Sequence, residues 1–135
     1  MSDHDKRRKV RLVQKYLINP PTKLGVFLGL VPGHAIVETV GRRTGRRRRT
    51  VVGVREENGT LWIVAEQGRY AGYVRNLEAN PDVRVRLRGR WHSGRAEVMD
   101  GDDPQARLDT FDDARHVRMV RKFGTHLLTL RITLA

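Results

Sequence analysis

The sequence predicts an α+β protein in which an antiparallel β-sheet curls into a small barrel. Three observations lead to this prediction. About six short apolar segments are separated by turn residues, and several of them alternate apolar with charged side chains. Two further segments have the apolar spacing of helices. The chain of 135 residues contains no internal repeat and no low-complexity linker, which indicates one domain, residues 1–135, with a single core.

The N-terminal segment has the pattern of an amphipathic basic helix. At about 100° per residue, its apolar and its basic side chains fall on opposite arcs. The basic arc consists of Arg7, Arg8, Arg11 and Lys15. Residues 19–22 contain two adjacent prolines and interrupt the pattern, and a short apolar stretch continues to Val31. Residues 1–31 are therefore predicted to form a basic helical extension, which either caps the core or attaches to anionic lipid.

The strands follow this extension. They are predicted over residues 35–41, 48–56, 60–65, 82–88, 91–100 and 128–134. Asn58-Gly59 is typical of a tight hairpin turn, because both central residues of that turn need positive φ. In the fourth strand, Val83, Val85 and Leu87 alternate with arginines. This alternation indicates one buried face and one solvated face.

Two helices are predicted between the strands. A short one ends at Asn80-Pro81, since the residue before a proline is biased away from helical backbone. Asp103-Pro104 predicts the start of a longer helix, with Asp as the N-cap and Pro at the first helical position. We expect this C-terminal helix to continue to about Lys122, just before the last strand.

The composition is strongly basic and limits the function classes. Lys and Arg number 27 against 15 Asp and Glu, which gives a formal charge of +12. The absence of cysteine excludes a disulfide scaffold, thiolate catalysis and Cys-ligated metal sites. No apolar run is long enough to span a bilayer, and without a signal peptide the expected compartment is the cytoplasm. The charge instead indicates an anionic partner.

Arginine is concentrated in one short segment, where six of the eight residues from 42 to 49 are Arg. Gly41 and Gly45 lie on either side of its first half, between two apolar strands, which predicts a basic hairpin turn. Its backbone N–H groups, the Thr44 hydroxyl and the guanidinium groups suit phosphate or carboxylate oxygens. No aromatic side chain interleaves with the arginines as a nucleic-acid stacking platform requires, so we favour a small polyanion and expect no nucleic acid.

Residue patterns for direct catalysis are weak. Ser2 and Ser93 are the only serines, and neither lies in a nucleophile elbow. The histidines are scattered, so we expect no metal site. A reactive group would therefore have to come from a cofactor.

Two motifs resemble the deazaflavin-dependent nitroreductase family. They are the segment TVGRRTG at residues 39–45 with Arg48 after it, and the segment NLEANPDV at residues 76–83. The resemblance covers about residues 15–100 and implies a split β-barrel that binds coenzyme F420, with FMN as the alternative. It implies an oxidoreductase that transfers a hydride from reduced F420 to an electron-poor acceptor, such as a quinone or a nitroaromatic compound.

The same resemblance implies the residues of the site. The cofactor's phosphate and acidic tail are expected to contact Arg42, Arg43, Thr44, Gly45 and Arg48. The deazaflavin ring is expected to contact Ala65, Glu66, Gln67 and Gly68, with Asn76 beneath it. Tyr73 is the candidate catalytic residue as a proton donor, with solvent as the alternative. The substrate pocket is expected to contain His116, Met119, Phe123 and His126.

The sequence also departs from the family pattern. Tyr73 lies where the family usually has Trp, and Val51 replaces a common Pro. Cofactor binding is therefore better supported than any one substrate. The alternative functions are a non-catalytic split-barrel binder of flavin, haem or fatty acid and, third, a nucleic-acid-binding module. The expected partners are the deazaflavin and a small hydrophobic acceptor, for a monomer or homodimer that either stays free in the cytoplasm or contacts an anionic membrane.

Overall fold

The computed structural model describes residues 20–135, so residues 1–19 of the basic helical extension predicted over residues 1–31, including its basic arc, lie outside the described residues. The helices are α1 (Pro20–Phe27), α2 (Gly72–Ala79), α3 (Pro104–Leu108) and α4 (Ala114–Phe123), with a 3₁₀ turn at Gly68–Tyr70. The strands are β1 (His34–Val40), β2 (Arg47–Gly53), β3 (Arg55–Glu57), β4 (Thr60–Ala65), β5 (Asp82–Leu87), β6 (Arg90–Val98) and β7 (Leu128–Leu134). None of the helices in this part of the chain is long and apolar enough to cross a membrane.

The strands form one curled antiparallel sheet in the order β2-β1-β5-β6-β7-β4-β3. Because side chains alternate across a strand, each strand directs one set of apolar residues to the inner face of the sheet. Val37, Leu61, Val85 and Ile132 meet there in the main core, and α2 adds Val74 and Leu77. The predicted α+β curled sheet is confirmed.

The sheet has seven strands where the sequence predicted about six, because the segment predicted as 48–56 is two strands. Pairing with β1 ends at Gly53, the last residue of β2, and the amide of the next residue, Val54, donates a hydrogen bond to the Gly33 carbonyl at 2.8 Å. The next three residues pair with β4 instead. Gly53 lies directly under the His116 ring, where a Cβ atom would overlap the imidazole. Tertiary packing at this glycine therefore sets the bend.

The prediction of one C-terminal helix from residue 103 to about 122 is wrong, because a second N-cap divides it. Asp103 caps α3 as expected, and its carboxylate accepts hydrogen bonds from the next turn. Asp113 then starts α4, accepting hydrogen bonds from the amides of Arg115 and His116, both at 3.1 Å. Leu108 and Phe111 are buried between the two helices, on the outer side of the sheet.

Local turn signals are confirmed. Asn58 and Gly59 have φ values of 52° and 79°, as the predicted hairpin turn requires. For the fourth predicted strand, which is β5 in the structure, the prediction that the arginine face is solvated is wrong in part. The Arg86 guanidinium lies 4.0 Å from the Phe27 ring centroid, and that of Arg84 lies 4.5 Å from the Trp91 centroid. Both arginines are partly buried, since long side chains cover apolar surface with their stems.

Candidate functional site

One end of the sheet brings together most residues that the sequence predicted for the site. Strand pairing defines this end, which we call the turn end because β1 joins β2 there. Glu38 pairs with Arg84 near the start of β5. Ala65, the last residue of β4, pairs with Leu128, the first residue of β7. The β1–β2 turn, the loop after β4 and the start of β7 therefore share one edge of the molecule, and α2 packs beside them.

The β1–β2 turn has a defined backbone geometry. The Gly41 amide binds the Arg46 carbonyl at 2.7 Å, and the Gly45 amide binds the Gly41 carbonyl at 2.8 Å. The Thr44 hydroxyl oxygen accepts a hydrogen bond from the Arg46 amide at 3.2 Å. A Cβ atom on Gly41 would lie 2.9 Å from the Arg46 carbonyl oxygen, and Gly45 has φ of +71°. The turn thus needs both glycines, and it holds the arginine side chains in solvent.

Asn76 connects this turn to α2. Its side-chain oxygen accepts hydrogen bonds from the Arg42 amide at 3.2 Å and from the Arg42 guanidinium at 2.9 Å. Its side-chain nitrogen donates to the Thr39 hydroxyl at 3.2 Å. Asn76 and Thr39 are both buried. Asn76 therefore fixes the base of the turn, and Arg42 is engaged within the protein.

Strand alternation divides the other arginines between two faces. Arg47 and Arg49 lie on the outer face, where each donates a hydrogen bond to the Glu38 carboxylate, at 2.8 and 3.0 Å. Arg84 forms a third ion pair with the same carboxylate at 3.1 Å. Burial alone raises the pKa of Glu38, but the hydrogen bonds from Arg47 and Arg49 and the charge of Arg84 outweigh it, so the pKa is lowered. Sequence reasoning missed Glu38, whose signal is a single carboxylate within an apolar strand.

Arg48 has the opposite orientation. It pairs in register with Thr39, whose side chain contacts Asn76 on the inner face. Within residues 20–135, Arg43, Arg46 and Arg48 form no ion pair with a carboxylate, and all three are exposed. A rigid, glycine-containing turn that carries arginines without internal counterions fits a phosphate or several carboxylates.

The loop after β4 forms the second part of the turn end. The Glu66 carbonyl accepts hydrogen bonds from the Thr125 amide at 2.9 Å and from the His126 amide at 3.1 Å. Gly68 has φ of +51°, and a Cβ atom there would lie 2.5 Å from the His126 carbonyl oxygen. Ala65 is buried in the main core. The backbone of residues 65–68 is therefore held firmly against the segment that leads into β7.

Two titratable groups at this loop have shifted pKa values. Burial raises the pKa of Glu66. Burial, followed by the nearby charge of Glu66, raises the pKa of Tyr73, so the phenol is protonated at neutral pH. Tyr73 lies in the first turn of α2 and packs against the main core. Sequence analysis named both residues, but it did not predict that they interact.

The residues predicted for a substrate pocket lie along α4 and do not all reach the turn end. The His116 ring lies 5.6 Å from that of His34, the first residue of β1, and so at the opposite end of the sheet. Burial, then the charge of His34, lowers the pKa of His116 to about 4, so its imidazole is neutral. Met119 follows one turn later and is half-buried. Phe123 ends α4 three residues before His126, which contacts the loop after β4.

Gln67 is half-buried in the same loop, and its carbonyl binds the Tyr70 amide at 3.0 Å. The Tyr70 ring lies 4.6 Å from the His126 ring. In the part of the chain that the structure describes, no group of three or more His, Asp or Glu side chains has the arrangement of a metal site. The geometry thus presents an arginine-rich turn at the same edge as a loop that carries a carboxyl group, with a phenol on the neighbouring helix α2.

Comparison with known proteins agrees with this geometry. Residues 9–134 match the family model described as F420H(2)-dependent quinone reductase. None of the curated proteins matches this chain significantly.

Solved structures share the fold at low sequence identity. An F420-H2 dependent reductase, FDR-A, is 18% identical over 75% of this chain and 94% of that chain, with a TM-score of 0.57. General Stress Protein 26 from Bacillus anthracis str. Sterne is 16% identical over 79% and 83%, with a TM-score of 0.56. HutZ, the heme storage protein from Vibrio cholerae, is 14% identical over 86% and 89%, with a TM-score of 0.55. These likenesses show the split-barrel fold.

Proposed function

The chain belongs to the F420H2-dependent quinone reductase family, and on this premise we propose that it transfers a hydride from F420H2 to a small quinone or a similar electron-poor acceptor. It is an F420-dependent oxidoreductase, with F420 as its cofactor. Hydride transfer and the identity of the acceptor are the proposal. One observation carries it: arginines that have no carboxylate partner among residues 20–135 extend from a rigid turn at the same edge of the molecule as a partly buried carboxyl group.

We assign the anionic part of the cofactor to the arginines of the β1–β2 turn. Its phosphodiester and glutamyl carboxylates form a polyanion, which suits Arg43 and Arg48 together with the Thr44 hydroxyl and the turn amides. Gly45 lets this anion approach the backbone closely, since nothing lies within 4 Å of the position a Cβ atom would take. Arg42, held by Asn76, orients the turn and adds charge.

The ring of the cofactor is assigned to the loop after β4. Ala65, Glu66, Gln67 and Gly68 follow the strand end next to α2, and the backbone contacts with His126 fix their positions. The acceptor is assigned to the same edge, beside Phe123 and His126. Holding donor and acceptor in one fixed orientation is the main contribution a protein makes to hydride transfer.

Parallel fluorescence titrations test the proposal. F420 and FMN are titrated separately into the protein, and menadione is then added to the complex with F420H2. We expect F420 to bind at micromolar concentration or tighter, and reduced F420 to be consumed stoichiometrically with the quinone. Failure of F420 to bind would remove the proposed function, and tighter binding of FMN would reassign the cofactor.

Four further properties remain predictions: reduction of nitroaromatic compounds, assembly as a homodimer, a cytoplasmic location and contact with an anionic membrane. Sedimentation with vesicles of anionic and neutral lipid measures the last of these. Binding to anionic vesicles that is lost at high salt would support it, because electrostatic attraction to lipid headgroups is screened by ions.

A further inference from the structure

Glu66 is an exception among the carboxylates of this basic protein. Most acidic side chains in residues 20–135 form ion pairs with arginines, as Glu38 and Glu56 do, or cap a helix, as Asp103 does. Within that range the Glu66 carboxylate does neither, and the hydrogen bond that favours its charge comes from its own backbone. A half-buried carboxylate without a cation is costly when ionised. Ion pairs stabilise the charged form of most of the other acidic side chains in residues 20–135, but no ion pair there stabilises the charged form of Glu66.

The position of Glu66 at the proposed ring site is fixed by backbone contacts. Two amides, of Thr125 and His126, bind its carbonyl oxygen. The side chain therefore extends from a segment that cannot shift without breaking both hydrogen bonds. Rigid placement of this kind is what a group that exchanges protons with a bound substrate requires.

Among residues 20–135, no basic side chain forms an ion pair with the Glu66 carboxyl group. Tyr73 contributes a phenol from α2. Tyr70 packs on the ring of His126. The arginine nearest to Glu66 along the chain is Arg69 of the 3₁₀ turn, which forms ion pairs with Glu78 at 3.1 Å and with Asp100 at 2.8 Å. On the last turn of α4, Arg121 binds Asp109 at 2.6 Å.

We propose that Glu66, in its protonated form, is the proton donor for reduction of the acceptor, an inference that rests on the proposed function. A quinone that receives a hydride gains two electrons and one proton and becomes a hydroquinone anion. The O–H bond of Glu66 then breaks, its proton forms the second O–H bond of the hydroquinone, and the carboxylate recovers a proton from water. Both electrons come from F420H2, so no further reductant is needed.

The electrostatics of the site agree with this role. Burial raises the pKa of Glu66, so the carboxyl group keeps its proton closer to neutral pH than an exposed glutamate does. The pKa of Tyr73 is raised as well. The phenol therefore stays protonated and serves as a hydrogen-bond donor, while the more acidic carboxyl group delivers the proton.

A titration without cofactor is the first test. Glu66→Gln removes the acid and keeps the size of the side chain, and Glu57→Gln removes an exposed carboxylate at the opposite end of the β3–β4 hairpin as the matched control. ¹³C NMR of the glutamate carboxyl carbons is recorded against pH, with circular dichroism to check folding. We expect one carboxyl group to titrate at higher pH than the others in the wild type and in E57Q, and this signal to be missing in E66Q. A Glu66 signal that titrates with the exposed glutamates would overturn the proposal.

Steady-state kinetics with F420H2 and menadione is the second test. We expect kcat of the wild type and of E57Q to fall as pH rises through the titration of Glu66. In E66Q, kcat should be about 100-fold lower and independent of pH over that range, with an unchanged Kd for F420. A wild-type kcat and pH profile in E66Q would overturn the role of Glu66 and leave the proposed function standing. If the wild type neither binds F420 nor reduces menadione, both fail.

Discussion

The two faces of the β1–β2 hairpin use arginine for different purposes. On the outer face, Arg47 and Arg49 both form ion pairs with the buried carboxylate of Glu38, so each has an anionic partner within the protein. On the face toward α2, Arg48 pairs with Thr39 and has no carboxylate partner among residues 20–135. Neighbouring residues of identical chemistry therefore stabilise the fold on one face and remain available to a ligand on the other.

Glu38→Gln breaks the outer face and has the largest expected effect. The Glu38 side chain is 2% exposed and contacts three arginines. Because the substitution removes a buried anion that accepts hydrogen bonds from Arg47 and Arg49, while the arginines left behind are solvated, we expect the free energy of unfolding to fall by about 2–3 kcal/mol in urea denaturation. Glu97→Gln, which removes an exposed ion pair with Arg131, is the control and should cost about 1 kcal/mol or less. Equal losses in the two variants would contradict the comparison.

Asn76→Ala tests the base of the inner face. It removes three hydrogen bonds, two from Arg42 and one to Thr39, at a buried position. We expect a loss of about 1–3 kcal/mol in the free energy of unfolding, and weaker F420 binding because the turn is no longer held to α2. Asn80→Ala is the control, since the Asn80 side chain makes a local hydrogen bond to the Asp82 amide. An Asn76 variant that binds F420 with unchanged affinity would remove this residue from the site.

Gly45→Ala sharpens the comparison at the turn itself. Gly45 has φ of +71° and nothing within 4 Å of the added Cβ position, so the expected effect is backbone strain without a clash. We expect a loss of about 1 kcal/mol in thermal or chemical unfolding. Gly72→Ala, at an open position without positive φ, is the control and should be neutral or slightly stabilising. Equal effects would indicate that the turn is not held in the left-handed region.

Acid should remove the stabilisation that Glu38 provides. The pKa of Glu38 in the folded protein is lower than its ordinary value, because hydrogen bonds and charge from arginines outweigh the effect of burial. A lowered folded pKa gives stability that is complete above the unfolded pKa and is lost as pH falls through the folded pKa. We expect the free energy of unfolding to fall more steeply below about pH 4.5 in the wild type than in Glu38→Gln. Parallel curves would contradict this account.

Local chemistry made much of the fold predictable. Asn58-Gly59 predicted its turn because few residue pairs tolerate positive φ at both positions. Asp103 predicted a helix start through its capping carboxylate. The bend at Gly53 was not predicted, because it depends on contact with a distant helix. The second cap at Asp113 was not predicted either, because it depends on the burial of residues between two caps.

The sequence predicted which residue types form the site, but not how the arginines are divided between the two faces of the hairpin. The glycines and arginines of the turn indicated an anion site, yet all the arginines looked equivalent in sequence. Strand register decides which hairpin arginines contact Glu38. A third arginine, Arg84, reaches the same carboxylate from β5, a strand far along the chain. The position of His116 at the opposite end of the sheet follows from the direction in which α4 packs, which a helical pattern alone does not specify.

The central claim is that Arg43 and Arg48, which have no carboxylate partner among residues 20–135, bind the cofactor. The F420 affinity of Arg43→Ala/Arg48→Ala tests it most directly. Arg90→Ala/Arg115→Ala is the control, because it removes the same charge from the opposite end of the sheet. In fluorescence titrations at physiological ionic strength, we expect about 100-fold weaker binding for the first double variant, and a small loss for the second because long-range attraction is screened. Equal affinities in the two double variants would contradict the claim.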